Sequence, residues 1–226
     1  GVKSRLLELG FPKEKCMAIS NGVDWSKFES VPRLEWAKRL PQVIMASRFA
    51  KQKDQPTLIQ AMRILKAQQV QTKLSLAGLG KTRLLQQSQK VSVELGLTEQ
   101  IEFLGHVANM PELLAKHQIF VLSTHYEGMP LALIEAMASG CACIGTDVVG
   151  VREVIEHGVT GLLVPENNAQ AIADAIAMLL NNPEKAENIG TTARAAVQQH
   201  FTLQVMNDNY TRLLLQLYQP KKYAPK

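Results

Sequence analysis

Two carboxylates eight residues apart are the residues with the clearest capacity for chemistry. Glu127 lies in a glycine-containing loop, and Glu135 is the only charged residue between Met129 and Ala138. A helix with so few polar residues is buried, and a buried carboxylate without a partner is costly. Glu135 therefore either has a structural partner or binds a ligand.

The geometry of a helix that begins near Pro130 favours the ligand. Proline suits a first helical turn, and the unpaired amides and the macrodipole of that turn attract a phosphate group. Helical side chains lean towards the N-terminus, so Glu135, one turn after Leu131, can reach hydroxyls attached to that phosphate. Glu127 can face another part of the same ligand. This arrangement predicts a nucleotide-sugar site.

Length and composition allow one large domain, or one domain with an arm. The chain has 226 residues, of which 46% are hydrophobic and 5% aromatic, and the 25 basic and 20 acidic residues are dispersed. So few aromatic residues disfavour a nucleic-acid partner. No segment is long and apolar enough to span a bilayer.

Three cysteines are interpreted as reduced thiols, which predicts a cytoplasmic protein. They are Cys16, Cys141 and Cys143. The basic tail at residues 221–226 is interpreted as a solvated end. A peripheral membrane contact, at the inner face of the membrane, is the alternative that stays open.

From about Pro41 onward, short apolar runs alternate with helical patterns. Buried strands are predicted at residues 43–46, 73–77, 101–104, 119–122, 142–145 and 161–164. Helices are predicted at residues 55–69, 83–95, 111–116, 151–156 and 169–180, and around Glu135. Unbroken apolar strands joined by helices indicate an α/β fold with a doubly wound, Rossmann-like parallel sheet. Ligands of such sheets bind at the carboxyl ends of the strands.

Three regions follow from this pattern. Residues 1–40 have little room for their own core and are predicted to be an arm that rests on something else. Residues 41–200 form the ligand-binding domain. Residues 201–226 hold a terminal helix and tail, and the whole end from 183 to 218 is predicted to be helical, with Tyr210, Leu213, Leu214 and Leu217 on one face.

Two cations follow the first strand, where a ligand would lie. Arg48 closes the strand and Lys53 comes five residues later. A forked guanidinium and a compact ammonium suit a diphosphate. The chain has no D-x-D pair of carboxylates that could hold a divalent metal with a diphosphate. No metal or other cofactor is therefore expected, and these cations and the helix tip must neutralise the phosphates.

The loops after the second, third and fifth strands belong to the same sheet edge. Gly78 and Gly80 are predicted to allow a tight turn and a close backbone approach to a ligand. The third glycine of a dinucleotide fingerprint is missing, since Arg83 occupies its position, so nicotinamide chemistry is disfavoured. The backbone near His106 could contact a base edge. His106 itself is either catalytic or structural, and the structural role is the more common one.

Taken together, these residues resemble a known family. The pattern E-G-M-P-L-x3-E-A-M-A-x-G is similar to the glutamate-x7-glutamate motif of retaining glycosyltransferases of the GT-B fold, in the family of glycosyl transferases group 1. The resemblance also covers Arg48, Lys53, and the segments 21–24, 78–80, 103–105, 147–150 and 158–165. One departure is Cys141, where the family usually has proline; it changes the entry to a strand and leaves the site unaffected.

The resemblance implies a C-terminal domain of a two-domain enzyme. In such enzymes an N-terminal domain binds the acceptor and the C-terminal domain binds a nucleotide sugar, here a UDP-sugar. The terminal helix resembles the one that packs back towards the N-terminal domain. The implied reaction moves a hexosyl unit onto a hydroxyl with retained configuration, and the isolated chain would bind the donor without transferring it.

The resemblance also implies individual roles. Arg48 and Lys53 would hold the diphosphate, Glu135 the ribose hydroxyls, and Glu127 the transferred sugar. The remaining contacts would be made by backbone groups. Those that contact the sugar and phosphate would be Gly128, Met129, Pro130 and Leu131, and those that contact the base would be Leu104, Gly105 and His106.

Three other interpretations stay open. Glu127 as a covalent nucleophile ranks below Glu127 as a positioning group. The chain could instead belong to a nucleotide-sugar epimerase of similar fold, although the Glu127/Glu135 spacing disfavours this. It could also be a non-catalytic nucleotide-sugar-binding module.

Overall fold

One sheet of six parallel strands lies at the centre of the fold. The computed structural model describes residues 2–218, and the strands within that range are β1 (Leu40–Ala46), β2 (Leu74–Ala77), β3 (Ile101–Gly105), β4 (His117–Leu122), β5 (Ala142–Thr146) and β6 (Leu162–Val164). Their order is β3-β2-β1-β4-β5-β6, the order of Rossmann sheets. The predicted doubly wound parallel sheet is confirmed.

Helices connect and cover the strands. They are α1 (Val2–Glu8), α2 (Ser26–Glu29), α3 (Gln55–Ala67), α4 (Thr82–Glu94), α5 (Met110–Ala115), α6 (Leu131–Ala138), α7 (Val149–Arg152), α8 (Ala169–Asn181), α9 (Pro183–His200) and α10 (Leu203–Leu217). From β1 the chain proceeds through α3 towards one edge of the sheet, and from β4 it proceeds through α6 towards the other. Because parallel crossovers are right-handed, α3 and α6 lie on opposite faces. Helices α4 and α8 pack against α3, and α9 packs against α6.

The strands carry apolar side chains on both faces of the sheet. Val43, Ile44 and Met45 of β1 are almost wholly buried, as are Phe120 and Leu122 of β4. A sheet covered by helices on both sides needs such uninterrupted runs. Each large side chain buried in this way contributes roughly 1.5–3 kcal/mol of hydrophobic stabilisation.

The predicted arm packs on this same domain. Val23, Phe28 and Trp36 join the main hydrophobic core. The Val23 amide donates to the Phe201 carbonyl at 2.8 Å, and the Leu203 amide donates to the Val23 carbonyl at 2.9 Å. The arm is therefore fixed at the junction between α9 and α10.

The helical end from 183 to 218 is divided into two helices, and the second lies in the region 201–226 that was predicted to hold a terminal helix. Thr202 lies between α9 and α10, and its hydroxyl accepts a hydrogen bond from the Val205 amide at 3.2 Å. An N-cap of this kind begins a new helix. No residue of α10 is buried, and Leu214, Leu215 and Leu217 are strongly exposed. The basic tail lies outside the described residues.

Two further observations concern the cysteines and the membrane. Cys16, Cys141 and Cys143 are all buried free thiols, as predicted, and burial raises the pKa of Cys141 to about 12. The Cys141 thiol donates to the Leu114 carbonyl at 3.3 Å, a bond that proline could not make. Within residues 2–218, no helix combines the length and the apolar character needed to cross a bilayer.

Candidate functional site

The loops after β1 and β4 form the centre of the candidate site. The chain leaves these adjacent strands in opposite directions, which opens a crevice between their carboxyl ends. Two backbone bonds join the loops: the Asp54 amide donates to the Ser123 carbonyl at 3.1 Å, and the His125 amide donates to the Gln52 carbonyl at 2.9 Å. The two loops are thus held as one unit at the switch point.

Lys53 and Glu127 form an ion pair inside this unit. The side chains of Lys53 and Glu127 are only 14% and 6% exposed. Glu127 Oε1 also accepts from the Thr124 hydroxyl at 2.9 Å, and Glu127 Oε2 accepts from Gln52 Nε2 at 3.4 Å. Lys53 was assigned to the diphosphate and Glu127 to the transferred sugar, and no contact was predicted between them, whereas here the two side chains touch. The physical reason is burial, since each charge alone would be strongly unfavourable.

This pair leaves Lys53 able to contact a ligand as well. An ammonium group has three donors, and one of them is used on Glu127. The carboxylate, in contrast, is held in one orientation by Thr124 and Lys53 at the same oxygen. That arrangement suits a positioning role for Glu127 better than nucleophilic attack.

Gln52, Thr124 and Gly150 support Glu127, and sequence reasoning assigned a role to none of them. A Cβ atom at Gly150 would lie 2.4 Å from the Glu127 carbonyl oxygen and 2.6 Å from that of Gly128. Real Cβ atoms essentially never approach so closely, so Gly150 allows the β5 loop to pack on the β4 loop. The sequence feature that could have indicated the role of Gly150 is a glycine in a loop that was already predicted to lie at this edge of the sheet.

Helix α6 follows the loop after β4 and carries Glu135 one turn beyond its start. It begins at Leu131, so Pro130 is the N-cap residue, and the prediction that Pro130 lies in the first turn is wrong. The Pro130 carbonyl accepts hydrogen bonds from the Leu133 and Ile134 amides at 3.0 and 3.2 Å. The Glu135 side chain, partly buried, has no hydrogen bond or ion pair with any residue that the structure describes. Burial raises the pKa of Glu135, and the charge of Lys27 opposes part of that effect. No structural partner for Glu135 is found in the described part of the chain.

Replacing Glu135 by Gln should increase the free energy of unfolding at about pH 7, by about 1 kcal/mol. Burial raises the folded pKa of Glu135, so ionisation is less favourable in the folded than in the unfolded chain. The stability linked to this group is present below the unfolded pKa of about 4.3 and is lost as pH rises through the folded pKa. The gain from Glu135→Gln should therefore disappear near pH 4. Thermal unfolding at both pH values checks this, and an equal gain at both would contradict it.

Arg48 and the two glycines lie at the neighbouring strand ends. Arg48 is exposed, and its guanidinium has no partner within residues 2–218. Gly78 has φ +134, and a Cβ there would lie 2.1 Å from the Ser47 carbonyl; at Gly80 it would lie 2.4 Å from the Phe49 carbonyl. The close approach is thus to the backbone after β1. A contact of these glycines with a ligand stays a prediction.

The predicted base-contacting segment belongs to the same edge. The Gly78 amide donates to the Gly105 carbonyl at 2.7 Å, which joins the loops after β2 and β3. Gly105 adopts φ +65, a left-handed conformation that favours glycine. Leu104 is half-buried and His106 is exposed. The structure therefore brings every predicted site residue to the carboxyl edge of the sheet.

The far end of α6 is fixed by two arginines. Arg39 Nη1 donates to the Gly140 carbonyl at 3.0 Å, and Arg194 donates to the Ala138 carbonyl. Cations at a helix C-terminus complement the helix dipole. Desolvation lowers the pKa of both guanidiniums, although arginine stays charged in proteins. These contacts hold in place the helix that carries Glu135.

The strand order, the switch-point crevice and the paired glutamates define a Rossmann-like domain of the GT-B glycosyltransferase type. The chain belongs to the glycosyl transferases group 1, whose family model matches residues 26–196. This confirms the resemblance noted in the sequence.

Two relatives illustrate the similarity. The chain is 35% identical over 170 residues to the N-acetyl-alpha-D-glucosaminyl L-malate synthase of Bacillus anthracis, covering 74% of this chain and 43% of that protein. It is 32% identical over 220 residues to the putative colanic acid biosynthesis glycosyltransferase WcaL of Salmonella typhimurium, covering 93% and 53%. The chain thus spans about half the length of these relatives.

A solved structure has the same fold. The chain matches Anabaena HepE, crystallised with UDP and glucose, with a TM-score of 0.83 and 24% identity, covering 94% of this chain and 60% of that one. At this level of identity the match establishes the fold.

Proposed function

We propose that the crevice binds a nucleotide-diphosphate sugar, with UDP as the nucleotide, and that the whole protein transfers a hexosyl unit to an acceptor hydroxyl. The observation that carries this proposal is Glu135. It is a partly buried carboxylate with no partner among the described residues, one turn inside the helix that begins at the switch point. Ribose hydroxyls would supply the hydrogen bonds that it lacks. UDP is chosen because the Anabaena relative of the same fold was crystallised with it.

The phosphates would be bound by the groups that still have free donors. The Arg48 guanidinium is exposed, and Lys53 keeps two donors beyond its bond to Glu127. The amides of Gly128 and Met129 have no acceptor within residues 2–218 and lie just before α6. Together these groups match the charge of a diphosphate.

The same groups would assist the reaction. In transfer with retention, the bond from the anomeric carbon to the diphosphate oxygen breaks and a bond to the acceptor oxygen forms on the same face. Negative charge then grows on the leaving diphosphate, where Arg48 and Lys53 stabilise it. The acceptor hydroxyl loses its proton, for which the leaving diphosphate is the nearest base. Glu127 would orient the sugar and hold Lys53 in place.

We assign the acceptor to a second, N-terminal domain of the whole protein. The apolar surface of α10, including Leu214, Leu215 and Leu217, is exposed and suits packing against such a domain. These 226 residues alone would bind the donor with little or no transfer, and in that sense act as a binding module. Membership of the glycosyl transferases group 1 disfavours the epimerase alternative.

Isothermal titration of UDP in the presence of EDTA tests this proposal. We expect saturable binding without a divalent metal, since two cations and a helix tip face the diphosphate. Arg48→Gln should weaken UDP binding by about tenfold or more, because hydrogen bonds to charged groups contribute about 1.5–3 kcal/mol. Lys73→Gln, an exposed lysine outside the crevice, is the control. Strict dependence on a divalent metal, or equal affinities for all three proteins, would contradict the proposal.

A further inference from the structure

A basic cleft lies beside the Lys53–Glu127 pair and has no role in the function proposed so far. It has a volume of about 440 Å³ and is lined by the loop after β1, the start of α4 and the loop after β4. Lys51, Lys81 and Arg83 contribute to its walls, and no carboxylate is among its described lining residues. The cleft therefore concentrates positive charge at one point.

The three cations have no ion-pair partner among residues 2–218, unlike several other lysines of this surface. Lys27, Lys38 and Lys90 each lie within 4.0 Å of a carboxylate on their own helix or turn. In contrast, no described residue pairs with the side chains of Lys51, Lys81 or Arg83. Like charges around a shared cleft raise its potential and attract an anion.

The cleft adjoins the reaction centre through two residues. Gln52 and Tyr126 line it, and Gln52 Nε2 donates to the Tyr126 carbonyl at 2.6 Å and to Glu127 Oε2 at 3.4 Å. Gln52 thus lies between the cleft and the carboxylate that is assigned to the transferred sugar. Glu135, assigned to the ribose, is on α6 and does not line the cleft.

We propose that this cleft binds a phosphate or diphosphate group carried by the acceptor, while the rest of the acceptor contacts the N-terminal domain assigned above. The inference rests on the proposed function, since it needs a donor in the adjacent crevice. The donor's own two phosphates are already matched by Arg48, Lys53 and the start of α6, so the cleft serves a second anion. Arg83 offers a planar fork and the two lysines offer point charges, a combination suited to phosphate oxygens. The ring of Tyr126, 64% exposed, provides a flat surface for the adjoining part of the acceptor.

The test is calorimetric titration into protein saturated with UDP, so that the donor crevice is already filled. Inorganic diphosphate and farnesyl diphosphate are the two probes, at constant ionic strength. Both should bind the wild type, and Lys81→Gln/Arg83→Gln should weaken that binding by about tenfold or more. The matched control is Lys73→Gln/Lys90→Gln, which removes the same charge from exposed positions outside the cleft and should leave binding unchanged.

The outcomes separate this inference from the proposed function. Tighter binding of farnesyl diphosphate assigns the cleft to a lipid-linked acceptor, and equal binding assigns it to the phosphate alone; both support the inference. The inference is overturned if the two double variants bind the probes with equal affinity. It is also overturned if Lys81→Gln/Arg83→Gln weakens the binding of UDP as much as the binding of the probes. Failure of UDP itself to bind contradicts the proposed function, and the same titrations without UDP then decide whether the cleft binds diphosphate.

Discussion

Lys53→Met is expected to lower the free energy of unfolding by about 3 kcal/mol, because it leaves the Glu127 carboxylate buried and without its cation. The Glu127 side chain is only 6% exposed, and Thr124 and Gln52 are its other donors. For a chain of this length, the loss corresponds to a Tm lower by roughly 6–12 °C. Chemical denaturation and thermal unfolding both measure it.

Two companion variants make the Lys53 experiment specific. Lys51→Met changes an exposed lysine two residues earlier and should alter stability by less than about 0.5 kcal/mol. The double variant Lys53→Met/Glu127→Gln should be more stable than Lys53→Met, since no uncompensated charge is left. If Lys53→Met is as stable as Lys51→Met, the ion pair does not hold the two loops.

Gly150→Ala is expected to displace the loop that carries Glu127. The added Cβ would lie 2.4 and 2.6 Å from two carbonyl oxygens of that loop, and backbone cannot yield to it as a flexible side chain would. We expect a loss of about 2–3 kcal/mol of stability, as for other overpacked sites. UDP binding should weaken as well, because the segment before α6 is displaced.

Gly128→Ala is the matched control for Gly150→Ala. It places a methyl group in the same pair of loops, but a Cβ there would meet nothing within 4 Å. Its stability should stay within about 0.5 kcal/mol of the wild type. Equal stability of Gly150→Ala and the wild type would show that the two loops are not packed as described.

The sheet could be predicted from the sequence because its strands are unbroken apolar runs. Residues 43–46 and 119–122 are bounded by polar segments, and a strand buried on both faces has few other compositions. A terminal helix within residues 201–226 could be predicted, but the contacts that separate α9 from α10 could not. Those contacts are the Thr202 hydroxyl, which accepts from the Val205 amide, and the arm, whose Val23 amide donates to the Phe201 carbonyl.

Candidate residues for the site could be selected from the sequence, but the contacts between them could not be predicted. Glu127, Glu135, Arg48 and Lys53 could be selected by residue type and by their place at strand ends. The Lys53–Glu127 contact joins residues 74 apart in the chain, and it depends on how the β1 and β4 loops align at the switch point. No local sequence pattern predicts that alignment. The role of Gly150 could not be predicted either, because it depends on close contact with the backbone of another loop.

The most direct test of the account is whether Glu135 binds ribose hydroxyls. Isothermal titration compares UDP with its 2′,3′-dideoxy analogue, using the wild type and Glu135→Gln. We predict that Glu135→Gln weakens UDP binding by about tenfold while leaving the dideoxy analogue nearly unchanged, in a protein that thermal unfolding shows to be folded. Equal losses for the two nucleotides would remove Glu135 from the ribose and contradict the proposed nucleotide-sugar site.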